Sequence, residues 1–463
     1  MRHPFISIKP IFLASFIFSF PFIASAADAE WSAGAASVKI TPEKPVVLAG
    51  YASRIEPFEK VDQDLYARAI ALKDANGHRA VLVTLDICIL PADVAEPVRK
   101  RIAENGKLEP ANVLLCVSHT HSGPAVSLAP EAAPNDPDAP AKSAATIEYT
   151  RWLQERLVEV AGQALADLKP ATLSWGSGIA NFAMSRREYT EKGIILGINP
   201  RGIVDRTVPV LRIDGGDGKP RIVLFGYACH GTTNPPSYLG VSPDYPGYAR
   251  KVIEEHFPGA QAMFIAGCGG DANPYPRLKL TDAPANGEEL GKEVCRVADG
   301  KLQPIPGPLA CALVTAQLPL ETPGRDALQA IIDKGPKSKV PDAKAMLATV
   351  DRGEKLPAAH SAPVVAWQFG EDLTLIGLPD EVVADYVTLL EDKVGPLRLW
   401  VAAYCEEVMG YIPSKRILGQ GGYETRGLYI GSGWFTADVQ DVLVNAAQAA
   451  ATEAGRKTPA QAP

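Results

Sequence analysis

Short apolar runs that end on a turn and a metal-ligand type of side chain narrow what this chain can fold into. Val113-Leu114-Leu115-Cys116-Val117 is apolar and leads into Ser118-His119-Thr120-His121-Ser122-Gly123-Pro124, so it reads as a buried strand closed by turn-forming Ser, Gly and Pro. The arrangement recurs. Residues 222–227 lead into Ala228-Cys229-His230-Gly231-Thr232-Thr233, residues 262–266 enter the Gly-rich stretch 267–274, and residues 373–378 lead to Pro379-Asp380-Glu381.

Between these runs the punctuation is that of a layered domain. Apolar runs 66–73 and 80–89 flank Asp74-Ala75-Asn76-Gly77, and Asn-Gly at such a place predicts a hairpin. Residues 93–105 carry Val94, Val98 and Ile102 four apart with Pro91 at the entrance, which predicts a helix before the strand 113–117. Strand, helix, strand order predicts an α/β fold of layered mixed sheets with flanking helices. Further helices are expected over 147–168, 248–256, 287–298, 382–390 and 439–454. Further strands are expected over 36–41, 171–175, 208–213, 309–318 and 397–403, and a hairpin over 364–378. The Ala- and Pro-rich residues 125–145 read as an extended loop, either a lid or a surface insertion. Residues 322–357 read as a small helical insertion, and the Gly-dense 404–434 as an irregular functional loop.

The first 26 residues have the pattern of a secretory signal peptide: Arg2, His3 and Lys9, an apolar stretch over 11–23, and Ala24-Ser25-Ala26 as the cleavage site. The expectation is an exported chain, secreted or periplasmic, with one domain over 27–457 and a short tail over 458–463. A net charge of -7 leaves no basic footprint for nucleic acid. No basic amphipathic segment stands out, so contact with a membrane surface is expected to be transient at most. Seven cysteines are too few for a disulfide scaffold, and no pairing can be assigned among them.

Ligands gather where strand ends converge. Strand alternation puts His119 and His121 on one face, where they either cap a loop or hold a metal. His230 is either structural or a ligand, and Glu381 is either a first-turn acid favoured by the helix dipole or a ligand. Taken together, two or three imidazoles and one carboxylate are a zinc set of the catalytic type, with a position left for water whose pKa the ion lowers to ~7. That chemistry makes a hydrolase without a nucleophilic side chain.

Five segments together resemble the catalytic domain of neutral (non-lysosomal) ceramidases: Leu48-Ala49-Gly50-Tyr51-Ala52, the 118–124 motif, Cys229-His230-Gly231-Thr232, Gly377-Leu378-Pro379-Asp380-Glu381, and the stretch from Tyr411 to Tyr423. The resemblance implies a zinc amidase that cuts the N-acyl bond of ceramide-like lipids. It implies zinc held by His119, His230, Glu381 and Tyr411. His121 and Tyr423 would then hydrogen-bond the reacting carbonyl. Arg186 falls where the family has an arginine near the substrate; its other reading is an ordinary surface arginine. Where the family has a serine important for activity, in Gly-Asp-x-Ser-Pro-Asn, this chain has Asn273 in Gly270-Asp271-Ala272-Asn273-Pro274-Tyr275. Ala125-Val126 replaces the family's Gly-Gly, and the immunoglobulin-like C-terminal domain of full-length ceramidases is not expected here. Two other functions stay open: hydrolysis of another envelope or glycan amide or ester, and non-catalytic binding on the same fold.

Overall fold

The computed structural model describes residues 31–130, 138–336, 339–429 and 433–457, together with Met1. The stretch read as a signal peptide, the middle of the Pro-rich segment and the C-terminal tail lie outside the described residues. Side-chain alternation explains the layering. Along Tyr66–Asp74, Ala67, Ala69 and Ala71 face one core while Ile70 and Leu72 face another, and Arg79–Leu85 and Val113–Val117 divide in the same way. A strand buried on both faces has to be covered on both. One cover is a second sheet, because Ile70, Leu72, Leu82, Leu114 and Leu224 share a core with Trp367, Phe369, Leu373, Leu375 and Trp400. The other cover is helical, formed by Ala92–Gly106, Ala139–Ala166, Asp244–His256 and Asp282–Ala298. Val439–Glu453 packs on the smaller sheet. The result is the expected α/β fold of layered mixed sheets.

The larger sheet runs in the order Gln261–Ala266, Pro220–Tyr227, Thr207–Gly215, Lys169–Ile179, Trp31–Lys39, Tyr66–Asp74, Arg79–Leu85, Val113–Val117, with Gln303–Ile305 added beside Lys169–Ile179. It is antiparallel in the middle and parallel at both ends, where Arg79–Leu85 pairs with Val113–Val117 and Pro220–Tyr227 with Gln261–Ala266. The smaller sheet runs Leu309–Pro319, Ala359–Phe369, Leu373–Gly377, Leu399–Ala402, and its last pair is also parallel. Each parallel pair sends its carboxyl ends to one place, and the larger sheet curls until its two terminal strands meet there. His121 N–H donates to Gly231 O at 2.8 Å across that junction. Gly231 is required by the approach, since a Cβ on it would stand 2.7 Å from His119 O.

Several boundaries differ from expectation for a common reason. The helices expected from 147, 248 and 287 begin at Ala139, Asp244 and Asp282, with Pro140, Pro246 and Pro284 in their first turns. First-turn N–H groups have no intrahelical partner, so proline there forfeits nothing and marks a helix start. The helix Ala139–Ala166 therefore takes over the end of the segment read as a loop. The helix expected from 382 begins at Asp385, because Glu381–Val382 pairs instead with Tyr411–Ile412 as a short parallel bridge. The stretch 404–434 is less irregular than expected, since it holds the helix Lys415–Gln420. The hairpin Ala183–Thr190 with Gly193–Asn199 was not anticipated: Arg186, Arg187 and Glu188 break its apolar alternation. In 322–357 stand two helices, Arg325–Lys334 and Val340–Asp351, closed around Leu328, Ala343, Met346 and Trp434. Among the described residues no helix is long and apolar enough to cross a membrane. All seven cysteines are unpaired; Cys116 and Cys405 approach most closely, Sγ to Sγ 3.4 Å, across the two sheets.

Candidate metal centre

His119 lies two residues past the strand Val113–Val117 with φ +57°, so the chain has left strand geometry before the motif begins. Its ring is held from behind: Nδ1 is 2.8 Å from the Cys88 carbonyl. His230, just after Pro220–Tyr227, is held alike, with Nδ1 2.8 Å from Gly269 O and 3.1 Å from Ala272 O. A backbone carbonyl accepts only from N–H, so in both rings Nδ1 carries the proton and Nε2 presents its lone pair to the centre. Glu381 Oε2 stands 3.1 Å from His119 Nε2 and 2.9 Å from His230 Nε2, and the Tyr411 hydroxyl stands 3.3 Å from His230 Nε2. Donors about 2.0–2.1 Å from a shared tetrahedral ion would be about 3.3 Å apart. The set therefore fits a divalent cation, and His119, His230 and Glu381 form a fully buried cluster of ligand type.

The other anticipated residues surround this set. His121 brings Nε2 to 3.1 Å from His119 Nε2 and leaves Nδ1 buried without a hydrogen-bond partner. Its ring lies edge-on to Tyr51 at 4.9 Å, over Gly50, whose φ of +98° and missing Cβ make the room: a Cβ there would come within 2.4 Å of the imidazole. Arg186 is a buried arginine and not a surface one. Its Nη1 is 3.0 Å from His230 Nε2, the lone pair a cation would use, so Arg186 has to yield it when one binds. Its guanidinium also lies 5.3 Å from the Tyr411 ring centre and 5.4 Å from that of Tyr423. Tyr423 packs edge-on against Tyr411 at 5.4 Å and is 36% exposed, so it stands at the mouth. Asn273 accepts from Thr232 Oγ1 at 3.2 Å, while the carbonyl of its neighbour Ala272 receives the His230 N–H at 3.0 Å.

Sequence reasoning missed three contributors. Glu424, wholly buried, accepts from Arg186 Nε at 2.8 Å and from Arg187 Nη1, which anchors both arginines. Tyr404 reaches Glu381 Oε2 at 3.4 Å, and its ring lies tilted at 4.5 Å from that of His119. Cys88 contributes its carbonyl. None of these left a local signal: the partners of Glu424, Arg186 and Arg187, lie 238 and 237 residues away in the chain.

Electrostatics follow the same lines. Burial opposes charge on His119, but the Glu381 carboxylate outweighs it and holds the imidazole well above its usual range. Burial, with Arg186 beside it, lowers His230 to about 4, and burial with both neighbouring imidazoles pushes His121 well below the usual value. Glu381 is raised by burial yet held well below the carboxylate range by His119 and His230. Burial raises the Tyr411 phenol, against the pull of Arg186. The centre is thus an ionised carboxylate that favours positive charge on His119, beside two imidazoles, His121 and His230, that resist it, a concentration of perturbed groups that suits a metal cation in place of the proton.

Residues 31–274, more than half of the chain, match the family model of neutral/alkaline non-lysosomal ceramidases, N-terminal part. The chain belongs to this ceramidase family. Among curated relatives it is 29% identical over 281 residues to neutral ceramidase B of Dictyostelium discoideum, covering 55% of this chain and 37% of that protein. It is 26% identical over 278 residues to the neutral ceramidase of Pseudomonas aeruginosa, covering 57% and 40%. The matched segments span less than half the length of these ceramidases. The fold is that of the crystallised Pseudomonas aeruginosa neutral ceramidase, with TM-score 0.67 at 20% identity over 94% of this chain and 77% of that one.

Proposed function

We propose that this chain is an exported zinc amidohydrolase that cleaves the N-acyl bond of a ceramide-like lipid, releasing an amine and a fatty acid. The observation that carries the proposal is the convergence of two imidazole nitrogens on one carboxylate oxygen at 2.9 and 3.1 Å, with a phenol 3.3 Å from one of the imidazoles, in a chain of the ceramidase family. In this reading His119, His230, Glu381 and Tyr411 hold zinc. When bound, the ion supplies Lewis-acid polarisation of the amide carbonyl and lowers the pKa of the attacking water.

The chain's own residues do the rest. His121, kept neutral by burial, donates an N–H toward the carbonyl oxygen, and the Tyr423 hydroxyl donates from the mouth; both strengthen as charge develops there. Arg186, clamped by Glu424, keeps Tyr411 and Tyr423 in register. An amphipathic substrate is supported by the hairpin that carries Arg186. It exposes Tyr189 (60%), Ile195 (47%), Leu196 (53%) and Ile198 (48%), and Ile194 packs on Gly422 beside Tyr423. Contiguous apolar exposure of this kind marks a surface for lipid or another apolar partner. Export to the periplasm or medium is supported by the signal-type pattern over 1–26.

The zinc-loaded protein is to be offered a fluorescent N-acyl sphingoid base and, separately, an N-acylated amino sugar. Release from the lipid at more than tenfold the rate from the sugar supports the proposal. Preference for the sugar would move the substrate to an envelope glycan while keeping the metal chemistry.

A further inference from the structure

Ligand-type atoms converge a second time at the end of the smaller sheet. His360 lies at the start of Ala359–Phe369, Asp380 in the turn after Leu373–Gly377, and Glu407 in the loop after Leu399–Ala402. His360 Nε2 stands 3.1 Å from Glu407 Oε1 and 3.3 Å from Asp380 Oδ2, and the three atoms all lie within 4.8 Å of one another. None of the three has a hydrogen bond of good geometry, although Asp380 is fully buried and the other two side chains are at most 12% exposed. The second oxygen of Asp380 is already taken by the Met409 N–H at 2.5 Å, so Oδ2 is the one aimed at the cluster. A buried carboxylate oxygen without a hydrogen-bond partner calls for an explanation.

Charge points the same way. Asp380, Glu406 and Glu407 are buried together, and Glu406 engages Arg99 at 3.0 Å, which leaves Asp380 and Glu407 facing a single imidazole. We propose that His360, Asp380 and Glu407 form a second divalent-cation site, distinct from the centre at His119 and His230. One imidazole with two carboxylates suits Zn²⁺ or Mn²⁺, and the observed spacings match the edges, about 3.3 Å, of a tetrahedron around such an ion. The role is structural: Asp380 precedes Glu381 directly and its N–H donates to Glu407 O at 2.8 Å, so an ion here clamps the turn that presents Glu381.

The test is metal stoichiometry of the full chain after equilibration with Zn²⁺ alone and with Mn²⁺ alone, desalting, and elemental and native mass spectrometry. The expected result is two ions per wild-type chain with at least one of the metals, one in His360→Gln and one in His119→Ala. Should His360→Gln not fold, Glu407→Gln replaces it, and the wild-type count decides on its own if neither folds. One ion per wild-type chain, lost in His119→Ala and kept in His360→Gln, would overturn the proposal and leave a protonated His360 held between two carboxylates. One ion kept in His119→Ala and lost in His360→Gln would support it while overturning the reading of the first centre.

Discussion

Residues up to 274 bring His119, His121, Arg186 and His230 to the centre, and residues beyond bring Glu381, Tyr411, Tyr423 and Glu424. The two contributions are fixed in different ways. The His119 and His230 rings are each pinned through Nδ1 by backbone carbonyls, just past strands buried on both faces. Glu381 and Tyr411 sit on a two-residue bridge, Glu381–Val382 with Tyr411–Ile412, and are steadied by side chains, Tyr404 on Glu381 and Arg186 with Glu424 on Tyr411. The nitrogen side is therefore preorganised by the fold itself, and the oxygen side by neighbours that a single substitution can remove.

That contrast makes graded predictions. His230→Ala is expected to abolish metal retention at the centre and to lower hydrolysis at least as much as the ~10²–10³-fold that follows loss of one transition-state donor. Tyr411→Phe, by contrast, should keep the ion with an affinity reduced about 10–100-fold, the size of an outer partner's effect. Equal losses in the two variants, measured by competition with a chelator, would erase the distinction.

Glu424→Gln leaves Arg186 and Arg187 buried with reduced compensation, and breaking such a buried pair costs about 3–5 kcal/mol. Chemical denaturation measures it directly. A loss below about 1 kcal/mol would mean that the oxygen side does not depend on this clamp.

Glu406 ties the two parts together, accepting from Arg99 at 3.0 Å and from the Leu115 N–H at 3.2 Å. Burial raises its pKa to about 7, against Arg99 and Leu115, from the ordinary carboxyl value of 4.5. The folded chain therefore holds this proton more tightly than the unfolded chain does. The stabilisation is full below pH 4.5, declines as pH rises through 7, and is constant above, a swing of roughly 3 kcal/mol. Denaturation midpoints at pH 5 and pH 8 should show this decline in the wild type and a flatter profile in Glu406→Gln; parallel profiles would contradict it. The smallest effect is expected at the mouth, where Tyr423, 36% exposed, donates in competition with water, so Tyr423→Phe should lower kcat only about tenfold with the metal content unchanged. An unchanged kcat would remove Tyr423 from the chemistry.

The same contrast governs what could be read from the sequence. His119 and His230 were legible because apolar β-branched runs ending in Ser, Gly and Pro announce parallel strand ends, where ligands collect. Glu381 was legible as a strand-end acid at a strand-to-helix junction, although the helix expected from 382 begins at Asp385. Tyr411 and Tyr423 came only through family resemblance, since short bridges leave no periodicity. Glu424 and the hairpin of Arg186 escaped because buried charges obey pairing across the fold, about 240 residues apart, and not local pattern. His360, Asp380 and Glu407 likewise come together only through the register of the smaller sheet.

The most direct measurement incubates the zinc-loaded chain with a ceramide-type N-acyl sphingoid base and counts both products by mass spectrometry, with His230→Ala in parallel. Free amine and fatty acid released in equal amounts, and lost in the variant, are the predicted result. No release by the metal-loaded wild type, or equal release by His230→Ala, would contradict the account.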